Sequence, residues 1–218
     1  MINTKNIDTK AFFEDARKEI IISIERKKLL TDIAQSIVNE YEDREKINLN
    51  FICTHNSRRS QFAQVWSFYA IEYFNLRNIF AYSGGTETTA FHRNTVKSLQ
   101  KTGFNFNIVD FSHQNPRYLI TFKGSKKSIL GFSKIYDHPN NSYPYIAITT
   151  CNNADENCPF IPDAITRFHL PYSDPKNFDN TDLVSENYLN TSKNIACEVF
   201  FIFEFIKKEI DSLTSELF

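Results

Sequence analysis

The sequence predicts an α/β fold in three layers: a four-stranded parallel sheet with helices on both faces, preceded by an N-terminal helical extension and carrying an inserted β-hairpin. Three observations lead there. Short apolar segments at 47–52, 78–83, 145–150 and 165–170 alternate with stretches of helical period, the pattern of a parallel sheet covered on both sides. The first 47 residues contain neither Pro nor Gly and repeat apolar residues at helical spacing. Residues 105–144 interrupt the alternation with two β-rich pieces around a turn. With 218 residues, 41% of them hydrophobic, the chain is long enough for one domain with its own core.

In the extension (1–46), Leu29, Leu30, Ile33, Ile37, Val38 and Tyr41 make an apolar stripe, with Phe12, Phe13, Ala16, Ile20 and Ile24 as a weaker one before it. Such a stripe packs on the main domain or on a second subunit, so a homodimer through these helices is an open expectation. The main domain (47–218) begins with Ile47 to Ile52, whose apolar and polar residues alternate. A polar turn starts at Cys53, and helical period returns over 57–74 with Phe62, Val65, Trp66, Tyr69, Ala70 and Tyr73. Asn78 to Ser83 reads as a strand ending at Gly84-Gly85, and His92 to Lys101 as a helix stopped by Gly103. Within the insertion (about 105–144), Arg117–Phe122 and Ile129–Tyr136 flank Lys123-Gly124-Ser125 as a hairpin. Tyr145–Thr150 and Ile165–Leu170 are the last two strands, and 183–213 is a long amphipathic helix.

Composition removes several classes of function. With 25 basic and 26 acidic side chains the net charge is -1, which does not suit broad electrostatic binding of nucleic acid. Four Cys are too few for a disulfide-built fold. Cys53, Cys151, Cys158 and Cys197 include no Cys-x-x-Cys and have no His at zinc-site spacing, so neither a metal nor another cofactor is expected. Met1-Ile2-Asn3-Thr4-Lys5 lacks the pattern of a secretory signal, and the apolar stretch 195–206 is broken by Glu198 and Glu204. A cytoplasmic, reducing setting without a membrane is the expectation, and free thiols there are catalytic or buried.

The most informative segment is Phe51-Ile52-Cys53-Thr54-His55-Asn56-Ser57-Arg58-Arg59-Ser60-Gln61. A strand delivers Cys53 to a turn and a helix begins directly after it. Backbone N–H groups of Thr54, His55, Asn56, Ser57 and Arg58 then converge with the helix N-terminus on one point, a cradle for a tetrahedral oxyanion. The same positive potential favours the thiolate and makes Cys53 the expected nucleophile. Arg59 can fold back to hold two oxygens at once, which a Lys cannot. Asn56 suits a left-handed position that ties the loop together, and Ser60 can donate to the Cys53 sulfur. Arg58 adds positive charge, either strengthening the thiolate or facing solvent.

Cys53-Thr54-His55-Asn56-Ser57-Arg58-Arg59-Ser60 resembles the anion loop of the low-molecular-weight protein tyrosine phosphatase fold, and within it the thioredoxin-coupled arsenate reductases. His55 stands where the family often has Gly, and Arg58 where some members have Cys. Ser83-Gly84-Gly85-Thr86-Glu87 and Ala90-Phe91-His92 resemble the family's second strand and the turn after it. The likeness covers roughly residues 47–213.

A second segment, Thr149 to Pro159, follows a strand and holds Cys151 and Cys158 seven residues apart. Were it helical, the two thiols would share a face with Cα atoms roughly 10 Å apart. A disulfide tolerates at most roughly 7 Å, so bridging them requires the segment to unwind. The resemblance implies a relay. Cys53 attacks arsenate with loss of water; Cys151 attacks Cys53 and releases arsenite; Cys158 attacks Cys151. Thioredoxin or another dithiol then reduces the Cys151–Cys158 disulfide. The family also places an Asp-Pro after its fourth strand as general acid, a position that Asp174 of Leu170-Pro171-Tyr172-Ser173-Asp174-Pro175 matches, with Asp179 as fallback.

Cys197, among Ile195, Val199, Phe200 and Phe203, reads as a buried structural thiol, and His169 as lining a strand end. Arsenate and phosphate are nearly isosteric, so the loop alone does not choose between them. An arsenate reductase is the leading expectation. A phosphatase acting on phosphate monoesters through a Cys53 phosphoenzyme, with Cys151 and Cys158 as redox protection, is the alternative. A non-catalytic oxyanion-binding module is the third.

Overall fold

The computed structural model describes residues 8–157 and 161–215. Along the chain, α1 (Thr9–Glu19) and α2 (Ile24–Asp43) precede β1 (Ile47–Cys53), and α3 (Arg59–Tyr73) leads to β2 (Ile79–Gly85). Then come α4 (Arg93–Lys101), β3 (Phe104–Asp110), β4 (Arg117–Phe122) and β5 (Ile129–Gly131). β6 (Tyr145–Thr149), a short α5 (Asn152–Asn157), β7 (Ala164–His169), a 3₁₀ turn (Pro175–Phe178) and α6 (Val184–Ser215) complete it.

The expected four-stranded sheet is present, parallel throughout, in the order β2-β1-β6-β7. Strand order reverses between β1 and β6, so their C-terminal ends open a crevice at the switch point where doubly wound sheets bind ligands. Cys53 leaves the sheet there, paired with Gly85 on one side, while Ile52 pairs with Thr149 on the other.

Several sequence expectations need correction. β1 does not alternate: all seven residues are buried. Asn48 and Asn50 are tolerated inside because each donates a side-chain hydrogen bond to a backbone carbonyl, Pro144 O at 2.9 Å and Tyr136 O at 2.9 Å. β2 runs through the glycine pair instead of ending at it. The inserted hairpin is a three-stranded antiparallel sheet, β3-β4-β5. Its third strand is Phe104–Asp110, and β5 stops at Gly131, well short of Tyr136.

The extension is two helices because Ser23, free of the preceding helix, caps α2 by accepting from Arg26 N at 3.2 Å. Ile24 therefore falls outside the apolar stripe and is 82% exposed, beside Ile21 at 94%. The rest of the stripe packs within the chain. Phe12 and Phe13 stack on Trp66 with ring centroids 5.4 and 5.6 Å apart, and Trp66 Nε1 donates to Ser192 Oγ of α6 at 2.9 Å. Arg26 of α2 grips Glu198 of α6 through two hydrogen bonds, 2.7 and 2.8 Å, donates to Pro171 O at 3.1 Å and covers the Tyr172 ring. The extension thereby braces the segment after β7. No helix among the described residues is long and apolar enough to cross a membrane.

Candidate active site

Residues 54–58 make the turn between β1 and α3, and the carbonyls of 54–57 are each held by a donor from outside the turn. Thr54 O accepts from Glu87 N at 2.8 Å, and His55 O from Ser133 Oγ at 2.8 Å. Asn56 O accepts from Gln61 Nε2 at 3.0 Å, and Ser57 O from His92 N at 3.0 Å. Because a peptide's N–H points opposite its C=O, pinning the carbonyls outside turns the N–H groups toward the interior. The N–H groups of His55, Asn56, Ser57 and Arg58 have no hydrogen-bond partner among the described residues. With the free first-turn N–H groups of α3, they form a nest of donors suited to an oxyanion.

Asn56 holds this shape. Its backbone is left-handed at φ 46°. Its side chain donates to Ser60 Oγ at 2.9 Å, while its Oδ1 accepts from Gln61 Nε2 at 3.1 Å and from Lys134 N at 3.0 Å. Ser60 in turn lies 3.0 Å from Cys53 Sγ. Gln61 also donates to Phe132 O at 2.9 Å, a partner 71 residues away that no local sequence pattern announces. His55 is half exposed, its ring 3.3 Å from Glu87.

Arg59 lies over the same crevice. Its Nη2 donates to Asp174 Oδ2 at 2.6 Å and its Nη1 to Tyr172 O at 3.2 Å. Its Nε is buried with no partner among the described residues, a donor still available to a ligand. Asp174 also caps the 3₁₀ turn, accepting from Lys176 N at 3.0 Å. Asp174 and Arg59 are thus brought together across 115 residues.

Arg58 does neither of the things expected of its side chain. It turns away from the loop, donating through Nε to Tyr188 OH at 2.6 Å and through Nη2 to Asp179 Oδ2 at 2.7 Å. Asp179 also accepts from Tyr188 OH at 2.8 Å and from Asn94 Nδ2 at 3.1 Å, so it is tied down as a structural acceptor and is not a spare acid. Burial alone would raise the Asp179 pKa, but the Tyr188 and Arg58 hydrogen bonds outweigh it and hold the carboxyl below its ordinary 3.8. A depressed folded-state pKa gives stability that is present above the unfolded value and lost as pH falls through the folded one. Asp179→Asn should therefore flatten the decline of stability with pH below about 4. Denaturant melts at a series of pH values test this, and an unchanged slope would contradict it.

Cys151 follows β6 and is 2% exposed, close to the 4% of Cys53. Both belong to one small buried cluster with Ile52, Tyr145, Ala147, Ala154 and Ile161. Cys151 Sγ lies 3.5 Å from Thr54 Oγ1, the residue directly after Cys53. Thr150 N donates to Ile52 O at 2.7 Å, which locks the end of β6 to the end of β1. Arg59, Cys151, Asn152, Asn153 and Tyr172 line a small cavity of about 240 Å³ at the mouth of the site.

Asn152–Asn157 forms the short α5. It is anchored through Asp155, which accepts from Thr149 Oγ1 at 2.8 Å and pairs with Arg167 and His169. His169 thus does line the strand end. Cys158 lies outside the described residues. Cys197 is fully buried on α6, and burial pushes its thiol up to about 11, leaving it inert. No cluster of three or more His, Cys, Asp or Glu suited to a metal occurs among the described residues.

No family model matches the chain. Arsenate reductase 1 of Staphylococcus epidermidis is 30% identical over 135 residues, covering 62% of this chain and 83% of that protein. The arsenate reductase of Bacillus subtilis is 28% identical over 132 residues, covering 61% and 76%. Among solved structures, a YwlE arginine phosphatase variant with a phosphorylated active-site serine superposes with a TM-score of 0.51 at 13% identity, covering 75% of this chain and 97% of that one. That likeness is one of fold.

Proposed function

The chain belongs to the arsenate reductase family, and on that premise we propose that it reduces arsenate to arsenite through a relay of Cys53, Cys151 and Cys158. The observation that carries the relay is the burial of Cys151 Sγ beside Thr54 Oγ1, in one cluster with Cys53, at the switch point of the sheet. A phosphatase needs no second thiol there.

In the proposed reaction, arsenate sits in the N–H nest of residues 55–58 with Arg59 and Ser60. Ser60 stabilises the Cys53 thiolate, which attacks arsenic and forms an S–As bond as an oxygen leaves as water. Once arsenate draws the Arg59 guanidinium away from it, Asp174 in its protonated form supplies the proton to that oxygen. Cys151 then attacks Cys53 sulfur. The S–As bond breaks, its electron pair goes to arsenic, As(V) becomes As(III), and a Cys53–Cys151 disulfide remains. Cys158 attacks Cys151 sulfur and frees Cys53 as a thiolate. A dithiol such as thioredoxin reduces the resulting Cys151–Cys158 bond, so the electrons come from thiols and the reaction takes no metal or cofactor. α5, a helix of six residues, must loosen to bring Cys158 to Cys151.

We read residues 1–46 as an extension added to a catalytic domain at 47–218, with the insertion at about 105–144. The stripe of α1 and α2 is largely covered within the chain, and Ile21 and Ile24 are left exposed beside it.

Thioredoxin-coupled turnover of arsenate by the wild type and by Cys158→Ser tests the relay. Turnover by Cys158→Ser should fall at least tenfold and leave a trapped Cys53–Cys151 disulfide; undiminished turnover would sink it. Hydrolysis of p-nitrophenyl phosphate without arsenate reduction would favour the phosphatase reading, and oxyanion binding without either activity the non-catalytic one.

A further inference from the structure

β2 is an edge strand of the parallel sheet, and beside its outer edge lies a cavity of about 320 Å³. That is at the small end of the range of ligand pockets, roughly 300–1,000 Å³. Its walls are mainly apolar: Phe68 and Ile71 from α3, Phe80 from β2, and Ile129 and Leu130 from β5. Glu72 and Lys127 stand in the same lining and are paired with each other at 2.7 Å, so they cancel.

One side chain in this lining has no explanation in the fold. Lys134 is only 2% exposed, and its Nζ is buried without a hydrogen-bond partner or a carboxylate within ion-pair distance among the described residues. Its nearest compensation is the face of Phe132, whose ring centroid is 5.0 Å away. The backbone cannot let the residue swing out, since Lys134 N donates to Asn56 at 3.0 Å and Lys134 O accepts from Gly85 N at 2.8 Å. A buried ammonium with no partner is costly, and burial lowers its pKa to about 7. Folding alone would favour Met or Leu here; an ammonium fixed in an apolar pocket is the arrangement that recognises one negative charge on an apolar body.

We propose that this cavity is a second ligand site, separate from the thiol site, which takes a small amphiphilic monocarboxylate: its carboxylate on Lys134 Nζ and its apolar body between α3, β2 and β5. A lone ammonium is a point charge that matches a monoanion. Phosphate or arsenate, with more charge to satisfy, would find neither a guanidinium nor a nest of N–H groups among these walls. The proposal does not depend on arsenate being the substrate.

The test is calorimetric titration of the full-length reduced protein with sodium octanoate, 1-octanol and octylamine hydrochloride, with sodium acetate as the headgroup without a body. Octanoate should bind saturably at a stoichiometry near one, at least tenfold more tightly than octanol or acetate, and octylamine should not bind. Lys134→Met should reduce octanoate to the affinity of octanol. Ser128→Trp, at the exposed rim of the cavity, should block octanoate without touching the buried amine, and it serves where Lys134→Met does not fold. No saturable binding of octanoate to the wild type, octanol binding as tightly as octanoate, or a folded Lys134→Met that keeps the preference would each overturn the proposal.

Discussion

Cys151→Ser protein should take arsenate into the loop and release no arsenite. Serine keeps the shape of the site and its contact with Thr54, but its hydroxyl cannot displace arsenic from a sulfur. Turnover should fall by roughly three orders of magnitude or more, about 4 kcal/mol of barrier. Attack by Cys53 on a phosphate ester does not use Cys151, so any p-nitrophenyl phosphate hydrolysis should survive. Measuring both reactions on one preparation separates loss of the relay from loss of the fold. If arsenate reduction persists in Cys151→Ser, the second thiol is not the one beside Thr54.

The second large effect is expected at Gly85. It pairs with Cys53 across the sheet, and a Cβ added there would fall 2.7 Å from Thr54 O and 2.8 Å from Asn56 N, and closer still to Glu87 O. All three are backbone atoms, so relief requires the anion loop itself to move. Gly85→Ala should destabilise by about 1–3 kcal/mol, as overpacking does. It should also cut turnover at least tenfold, because the N–H groups shift off the bound oxyanion. A melting curve with the rate measured well below the midpoint distinguishes the two losses. Wild-type activity in a folded Gly85→Ala protein would show that the loop tolerates displacement.

The part of the site legible from the residues alone is contiguous in sequence. Cys53 through Ser60 carry their own geometry, and the strand before and helix after follow from local periodicity. Cys151 and Asp174 entered through the resemblance, and the parallel strands bring Cys151 beside Thr54 because they collect their C-terminal ends at one edge. Arg58 could not be read in the same way. Its partners, Asp179 and Tyr188, are 121 and 130 residues away, and nothing local distinguishes an inward guanidinium from one in the loop. The buried Asn48 and Asn50 imitate the polar side of a half-exposed strand, because the carbonyls that satisfy them come from the far end of the insertion. β3 was missed for a related reason: Phe104-Asn105-Phe106-Asn107 has period two, but Asn disfavours strands and Gly103 marks a turn directly before it.

In the proposed relay, reducing equivalents pass from the chain's own thiols to arsenate at Cys53. A single-turnover experiment reads this without any partner. Fully reduced protein, freed of reductant and mixed with arsenate, should yield close to one arsenite per chain and lose two of its four thiols. Peptide mapping should then find the disulfide between Cys151 and Cys158. Hydrolysis of p-nitrophenyl phosphate with no arsenite formed and four thiols retained would contradict the relay and leave the chain a phosphatase in an arsenate reductase's fold.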